Sequence, residues 1–206
     1  MFAKSKVSAS LVNLVLSSVE IEVSLNLAFI SSPVVSKILY VIVAILFFGF
    51  IRAYKGLDLL LKAMGDKRLE EVHLIVAGEF YEDSEKYTNI IKEQGIGERV
   101  HLFTEYIPDT EVNKFFSACD IVTQPYKTAT QSGVTQVAYH FEKPMIVTNV
   151  GGLSEIVPEG KVGYNVDPDA GAIAEAIEKF YATGADLHEG IVEEKKKYSW
   201  GLLTER

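Results

Sequence analysis

A doubly wound α/β fold, with helices on both faces of a parallel sheet, is what this sequence predicts. From about residue 41 onward, short runs of apolar and β-branched residues alternate with segments of helical spacing. Those runs are apolar at nearly every position rather than at every second one, as strands buried on both faces require. Glycine, or a proline-aspartate start signal, punctuates the changes between them.

In chain order, Val41 to Gly49 reads as the first strand and Leu57 to Met64 as the first helix. His73 to Ala77 is a strand ending at Gly78, and Ser84 to Gln94 a helix stopped by Gly95 and Gly97. Val100 to Phe103 is the third strand. Pro108-Asp109 opens a helix whose Val112, Phe115 and Phe116 share an apolar face. Asp120 to Thr123, Met145 to Val150 and Gly163 to Val166 complete six strands, with helices starting at Ser132 and Asp169 and a short helical turn after Gly151-Gly152. The sequence shows no internal repeat and no low-complexity segment.

The first ~40 residues are read as a separate apolar extension, with the α/β domain over 41–206. Val19 to Phe29 alternates apolar and other residues with the period of a one-faced strand, which admits adherence to a membrane surface. Ile38 to Ile51 is almost wholly apolar, but shorter than the ~20 residues a crossing helix needs, so a buried strand is expected there. Lys4 and Lys6 precede a serine-broken stretch without a small-residue cleavage pattern, unlike a secretory signal.

A formal charge of −8 over 206 residues argues against nucleic acid as a partner, so any phosphate contact has to be local. The single cysteine, Cys119, precludes an intrachain disulfide and fits a reducing, cytoplasmic compartment, with the inner face of a membrane as a further expectation. No Cys/His spacing suggests zinc or another metal, no cofactor motif stands out, and no serine has a credible histidine and acid partner. His73, His101 and His188 are scattered; His140, between Tyr139 and Phe141 on a helix, reads as a satisfied histidine.

The common strand order for such a fold, 3-2-1-4-5-6, brings the loops after strands 1, 4 and 5 together at the carboxyl edge, where ligands bind. The unusual residues lie on those loops. Gly49-Phe-Ile-Arg-Ala-Tyr-Lys-Gly56 contributes Arg52 and Lys55; the loop after strand 4 runs into Gln131-Ser132-Gly133 at a helix start; Gly151, Gly152 and Glu155 follow strand 5. A helix start carries unpaired N–H groups and partial positive charge, and small residues there let an anion approach. Two cations beside it have the chemistry to neutralise a diphosphate without a metal. Each feature also has a plainer reading: a solvated lysine, a tight turn at Gly151-Gly152, a Glu155 that braces its own loop.

The stretch from Gly49 to Ala63 resembles the Gly-Arg-x-x-x-x-Lys-Gly segment of group 1 (family 4-like) glycosyltransferases of the GT-B type, and Gly151-Gly-Leu-Ser-Glu-Ile-Val157 resembles that family's Gly-Gly-x-x-Glu-Ile-Val. The resemblance covers about residues 46 to 200. It implies the C-terminal, donor-binding half of such an enzyme, with a UDP- or GDP-type nucleotide-diphosphate sugar as ligand. Hexose would pass to a hydroxyl of a glycan or lipid-linked acceptor, with retention at the anomeric carbon, in polysaccharide biosynthesis. By resemblance, Lys55, Ser132 and Gly133 would hold the diphosphate, and the backbone at Tyr106 and Ile107 the base. The family's arginine position is Phe50 here, so Arg52 is the substitute expected. Gln131, Gly151, Gly152 and Glu155 would make sugar or loop contacts; no catalytic residue is assigned. The family's two glutamates around the strand 4 junction fall on Ala129 and Val137, and their roles do not transfer. Two readings remain beside this one: a noncatalytic nucleotide-sugar-binding or interaction module lacking the acceptor domain, and a GT-B epimerase, which would need a histidine in the cleft. The residues before strand 1 are too few for an acceptor domain, so weak donor binding and negligible transfer are expected of the chain alone.

Overall fold

The computed structural model describes residues 43–184 and 186–198. They form one parallel six-stranded sheet in the order β3-β2-β1-β4-β5-β6, the doubly wound order the sequence predicts. The strands are β1 Val43–Phe48, β2 Val72–Ala77, β3 Val100–Phe103, β4 Ile121–Gln124, β5 Met145–Thr148 and β6 Gly163–Val166. Between and after them run α1 Leu57–Ala63, α2 Glu85–Gln94, α3 Asp109–Ala118, α4 Gly133–His140, α5 Leu153–Ile156, α6 Ala170–Thr183 and α7 His188–Lys195.

The apolar run that raised the question of a membrane contributes β1 to the middle of the sheet. Val43, Ile45 and Phe47 face one core, and Ala44 and Leu46 the other. Its neighbours on both sides consume its backbone hydrogen bonds, with Val43 opposite Val72 through Phe48 opposite Ala77, and Ile45 opposite Ile121. Among the described residues no helix is long and apolar enough to cross a membrane. The extension 1–40 and the alternating segment Val19 to Phe29 lie outside the described residues.

The two cores are the two faces of the sheet. α1, α2 and α6 cover one with Leu57, Leu60, Leu61, Tyr87, Ile90, Ile173 and Ile177. α3, α4, α5 and α7 cover the other with Phe115, Phe116, Ala138, Tyr139, Leu153 and Ile191. Cys119 is buried there; burial pushes its thiol up to about 12, as suits a packed small residue rather than a reactive one.

α1 begins where it does because Gly56 turns the chain. Gly56 has φ +70, and a Cβ there would stand 1.9 Å from the Pro125 carbonyl oxygen, so the loops after β1 and β4 touch backbone to backbone. Lys127 ties the same two loops: its N–H donates to the Tyr54 carbonyl, and its Nζ donates to Asp58 Oδ2 at 2.7 Å. α3 starts after Pro108, but no side chain caps it. α6 does have its aspartate cap, Asp169 accepting from the N–H groups of Gly171 and Ala172.

Two of the scattered histidines meet. His73 on β2 and His101 on β3 stack with ring planes 10° apart, and their Nδ1 and Nε2 are 3.0 Å apart. Burial lowers the pKa of both, with His73 brought down to about 4, helped by the charges of His101 and Arg99.

Candidate functional site

A cavity of about 500 Å³ opens at the carboxyl edge of the sheet, over β1, β2 and β4. Phe48, Gly49, Phe50, Tyr54 and Lys55 form one side; Ala77, Gly78 and Glu79 continue from β2. Tyr106, Ile107, Asp109 and Val112 bring in the segment after β3, and Tyr126 with Gln131 to Val134 and Val137 closes the β4 side. Lys55, Gln131, Ser132, Gly133, Tyr106 and Ile107 therefore line a single cavity, although the chain separates them widely.

Lys55 ends a one-turn 3-10 helix, Ala53–Lys55, and its side chain turns back over the tip of β1. Its Nζ lies 3.1 Å from where a Cβ of Gly49 would be, and 5.6 Å from the centre of the Tyr126 ring. Burial first, and the charge of Arg52 second, hold its pKa below the usual 10.5. Among the described residues no carboxylate pairs with it. Lys127, by contrast, is neutralised by Asp58.

Across the cavity, α4 starts at Ser132 in extended conformation without a side-chain cap. The Ser132 hydroxyl, which would ordinarily turn onto the first helical N–H groups, instead shares a hydrogen bond of 3.1 Å with the Tyr126 hydroxyl. The helix start thus keeps its positive end uncovered, and Gly133 is exposed, with nothing within 4 Å of the place a Cβ would take. Beneath it the junction is held by neutral bonds. Thr135 Oγ1 donates to Gln124 Oε1 at 3.1 Å, and Thr148 Oγ1 donates to the Tyr126 carbonyl at 2.5 Å. Burial raises the Tyr126 phenol to about 12.

Ala129 and Val137, at the positions of the family's glutamates, pack against the second core, and Val137 lines the cavity. The junction is built without charge where the family pattern has two.

Arg52 is exposed, outside the cavity lining, with its guanidinium carbon 4.8 Å from the centre of the Tyr81 ring. Gly151 and Gly152 also stand outside the lining. A Cβ on Gly151 would be 1.6 Å from the Ala129 carbonyl oxygen, and one on Gly152 2.9 Å from that of Thr130, so this turn presses against the loop that leads to α4. Glu155 is exposed in the first turn of α5 and does not line the cavity. No histidine lines the cavity, and His140 faces solvent on α4, which leaves the epimerase reading without its acid or base. Asp109 and Glu79 are the lining carboxylates the sequence did not single out; Asp109 reads from sequence as a helix-start residue, and only its place beside Tyr106 brings it to the site. Among the described residues no cluster of three or more His, Cys, Asp or Glu could hold a metal.

A cavity at the carboxyl edge of a parallel doubly wound sheet, where an unpaired lysine faces an uncapped helix start, is the place in which α/β proteins commonly bind ligands. This chain belongs to the glycosyl transferases group 1 family, whose model matches residues 43–183. It is 28% identical over 169 residues to a D-inositol 3-phosphate glycosyltransferase of Corynebacterium aurimucosum, covering 77% of this chain and 40% of that protein. Over 144 residues it is 24% identical to a GDP-mannose:glycolipid 4-beta-D-mannosyltransferase of Xanthomonas campestris pv. campestris, covering 67% of this chain and 40% of that protein. The chain thus spans about 40% of the length of these curated relatives. Among solved structures, sucrose-phosphate synthase of Thermosynechococcus elongatus superposes with TM-score 0.69 at 22% identity, over 79% of this chain and 43% of that one. The C-terminal domain of a glycosyl transferase group 1 family protein, LpcC of Francisella tularensis, does so with TM-score 0.67 at 19% identity, over 77% of this chain and 87% of that one. At these identities the structural likeness establishes the fold, which is that of GT-B glycosyltransferases.

Proposed function

We propose that this chain is the donor-binding domain of a hexosyltransferase, holding a nucleotide-diphosphate sugar in the carboxyl-edge cavity. The observation that carries the reading is the unpaired ammonium of Lys55, partly desolvated over Gly49, opposite the uncapped start of α4 at Ser132-Gly133. A cation held out of water without a counter-ion costs stability, and a bound anion offsets that cost. A diphosphate between Lys55 and the N–H groups at Ser132-Gly133 supplies that anion, and the same contacts stabilise the charge that develops on the leaving diphosphate.

The base then lies toward Tyr106 and Ile107, whose backbone offers a donor and an acceptor, and the sugar toward Gln131. Gly151 and Gly152 act through the loop they press on, and Glu155 through its own turn. Two relatives support the ligand class: the mannosyltransferase named for GDP-mannose, and the structure of HepE from Anabaena in complex with UDP, which shares this fold at TM-score 0.64 and 20% identity. The likeness to an isolated C-terminal domain supports the assignment of residues 41–206 to the donor half. Transfer with retention to a hydroxyl of a glycan or lipid-linked acceptor completes the reading, with the acceptor held by a second wall facing this cavity and the work done at the inner face of a membrane.

Calorimetric titration of the chain with UDP, GDP and their hexose derivatives tests it. Binding of one nucleoside diphosphate series, lost in Lys55→Ala, is expected. Absence of binding by all of them, or binding that Lys55→Ala leaves intact, would refute it.

A further inference from the structure

Beyond the cavity, the structure offers a second cation with a partner that is not an acid. After β1 the chain continues alongside the tip of β2: the Gly49 N–H donates to the Ala77 carbonyl, the Ile51 N–H to the Glu79 carbonyl, and the Tyr81 N–H to the Ile51 carbonyl. Ile51 is fully buried on one side of this extended segment, so Phe50 and Arg52 project on the other. Phe50 lines the cavity, and Arg52, outside the lining, projects on the same side of the chain two residues on. The Tyr81 ring packs against both, 4.6 Å from the Phe50 ring centre and 4.8 Å from the Arg52 guanidinium carbon. Among the described residues Arg52 has neither an ion pair nor a hydrogen bond from its side chain, yet its charge is felt at Lys55, whose pKa it lowers.

Two cations that repel one another, neither of them in an ion pair among the described residues, leave room for a second unit of negative charge. Stacking matters here because a guanidinium over a ring keeps its N–H donors in its own plane, free to bond outward. It also removes part of the rotamer freedom that an exposed arginine otherwise loses on binding. A ligand carrying one phosphate, neutralised by Lys55 and the start of α4 inside the cavity, has no need of the rim. A ligand carrying two has a second phosphate left for Arg52 to meet.

We propose that Tyr81 is a positioning residue whose ring presents Arg52 to the outer phosphate of the bound nucleotide, so that the Arg52–Tyr81 pair makes the site prefer diphosphates over monophosphates. This rests on the donor-binding reading above. Tyr81, on the loop after β2, carries no signal in the sequence, and its role depends wholly on the pairing of residues 49–51 with 78–81.

The test measures dissociation constants of UMP, UDP, GMP and GDP for wild type, Arg52→Gln, Tyr81→Ser, Tyr81→Phe and the double variant Arg52→Gln/Tyr81→Ser. Arg52→Gln is expected to weaken the preferred diphosphate by about tenfold or more and leave its monophosphate within about twofold, as loss of one charge-assisted contact would. Tyr81→Ser should weaken the diphosphate by about two- to fivefold, the scale of an exposed cation–π contact, while Tyr81→Phe retains wild-type affinity. In the Arg52→Gln background, Tyr81→Ser should add nothing. Equal losses for mono- and diphosphate, an additive double variant, or an unchanged Arg52→Gln would overturn the proposal while leaving the donor site standing. Failure of the wild type to bind any of the four would overturn both.

Discussion

Gly133→Ala separates an effect on folding from an effect on binding. Gly133 is the first residue of α4, is exposed, and lies outside the left-handed region. An added Cβ meets nothing within 4 Å, so the methyl group enters open space and alanine's helix preference acts unopposed. That preference amounts to at most about 1 kcal/mol, and less at a first helical position, which corresponds to a melting temperature unchanged or raised by up to about 3 °C. The open space is also where a phosphate would approach the helix start. Loss of one charge-assisted bond there costs about 1.5–3 kcal/mol, or about 10- to 150-fold in Kd for UDP or GDP. Calorimetric titration with differential scanning calorimetry reads both quantities on one preparation. Gly56→Ala is the contrast: with φ +70 and a carbonyl oxygen 1.9 Å from the new Cβ, it should lose at least about 1–2 kcal/mol of stability. A folded Gly133→Ala protein with wild-type affinity would show that the phosphate does not sit at the start of α4.

Lys55→Met should weaken nucleoside diphosphate by about 10- to 150-fold and leave melting unchanged or higher, because it removes a desolvated cation; a fall in stability with binding intact would make Lys55 structural. Since the folded pKa of Lys55 lies below its unfolded value, the unfolded chain binds more protons across that interval, so this group's contribution to stability rises with pH there. Ligand binding, which needs the charged form, should fall as pH rises through the same folded pKa. For His73, brought down to about 4 from 6.5, the stabilising contribution is complete above 6.5 and lost as pH falls toward 4. His73→Phe, which keeps the stacked ring, should flatten the stability profile measured by urea unfolding between those values, and an unchanged slope would contradict the burial argument. Cys119, with its thiol raised to about 12, should resist a disulfide reagent at pH 8 until the protein unfolds, and prompt stoichiometric labelling of the native chain would count against its buried placement.

The sheet was legible because its signals are local. β1 is an unbroken apolar run, β2 and β5 are apolar but for His73 and Thr148, and Gly78, Gly95 and Gly151 mark ends that short-range sterics dictate. α7 was not foreseen, since His-Glu-Gly-Ile-Val-Glu-Glu-Lys places only Ile191 and the ion-paired Glu194 inward and shows no apolar stripe. Within the site, Lys55, Ser132 and Gly133 could be brought together on paper because strand order follows from the alternation of elements. The stacking of His73 on His101 depends on the register of β2 with β3, and the perch of Arg52 on Tyr81 on pairing beyond the strand ends; neither is written in any single segment. Gly151-Gly152 shows the limit from another side. One motif serves a ligand or a neighbouring loop equally well until the distance to Ala129 is known.

The sheet's two halves share backbone register only along the β1–β4 seam, at Ile45 opposite Ile121 and Leu46 opposite Val122. Side chains reinforce this short joint: Asp120 Oδ2 accepts from the Ala44 N–H at 2.9 Å, and Thr123 Oγ1 donates to the Leu46 carbonyl at 3.1 Å. The joined segments are farther apart along the chain than those of any other strand pair in the sheet, so this seam carries the largest loop-closure cost. Lys55 belongs to one half and Ser132 to the other. The cavity therefore does not exist until the halves have met, and a nucleotide held between Lys55 and Ser132, as proposed above, would clamp the two halves together and raise the melting temperature with its concentration by mass action.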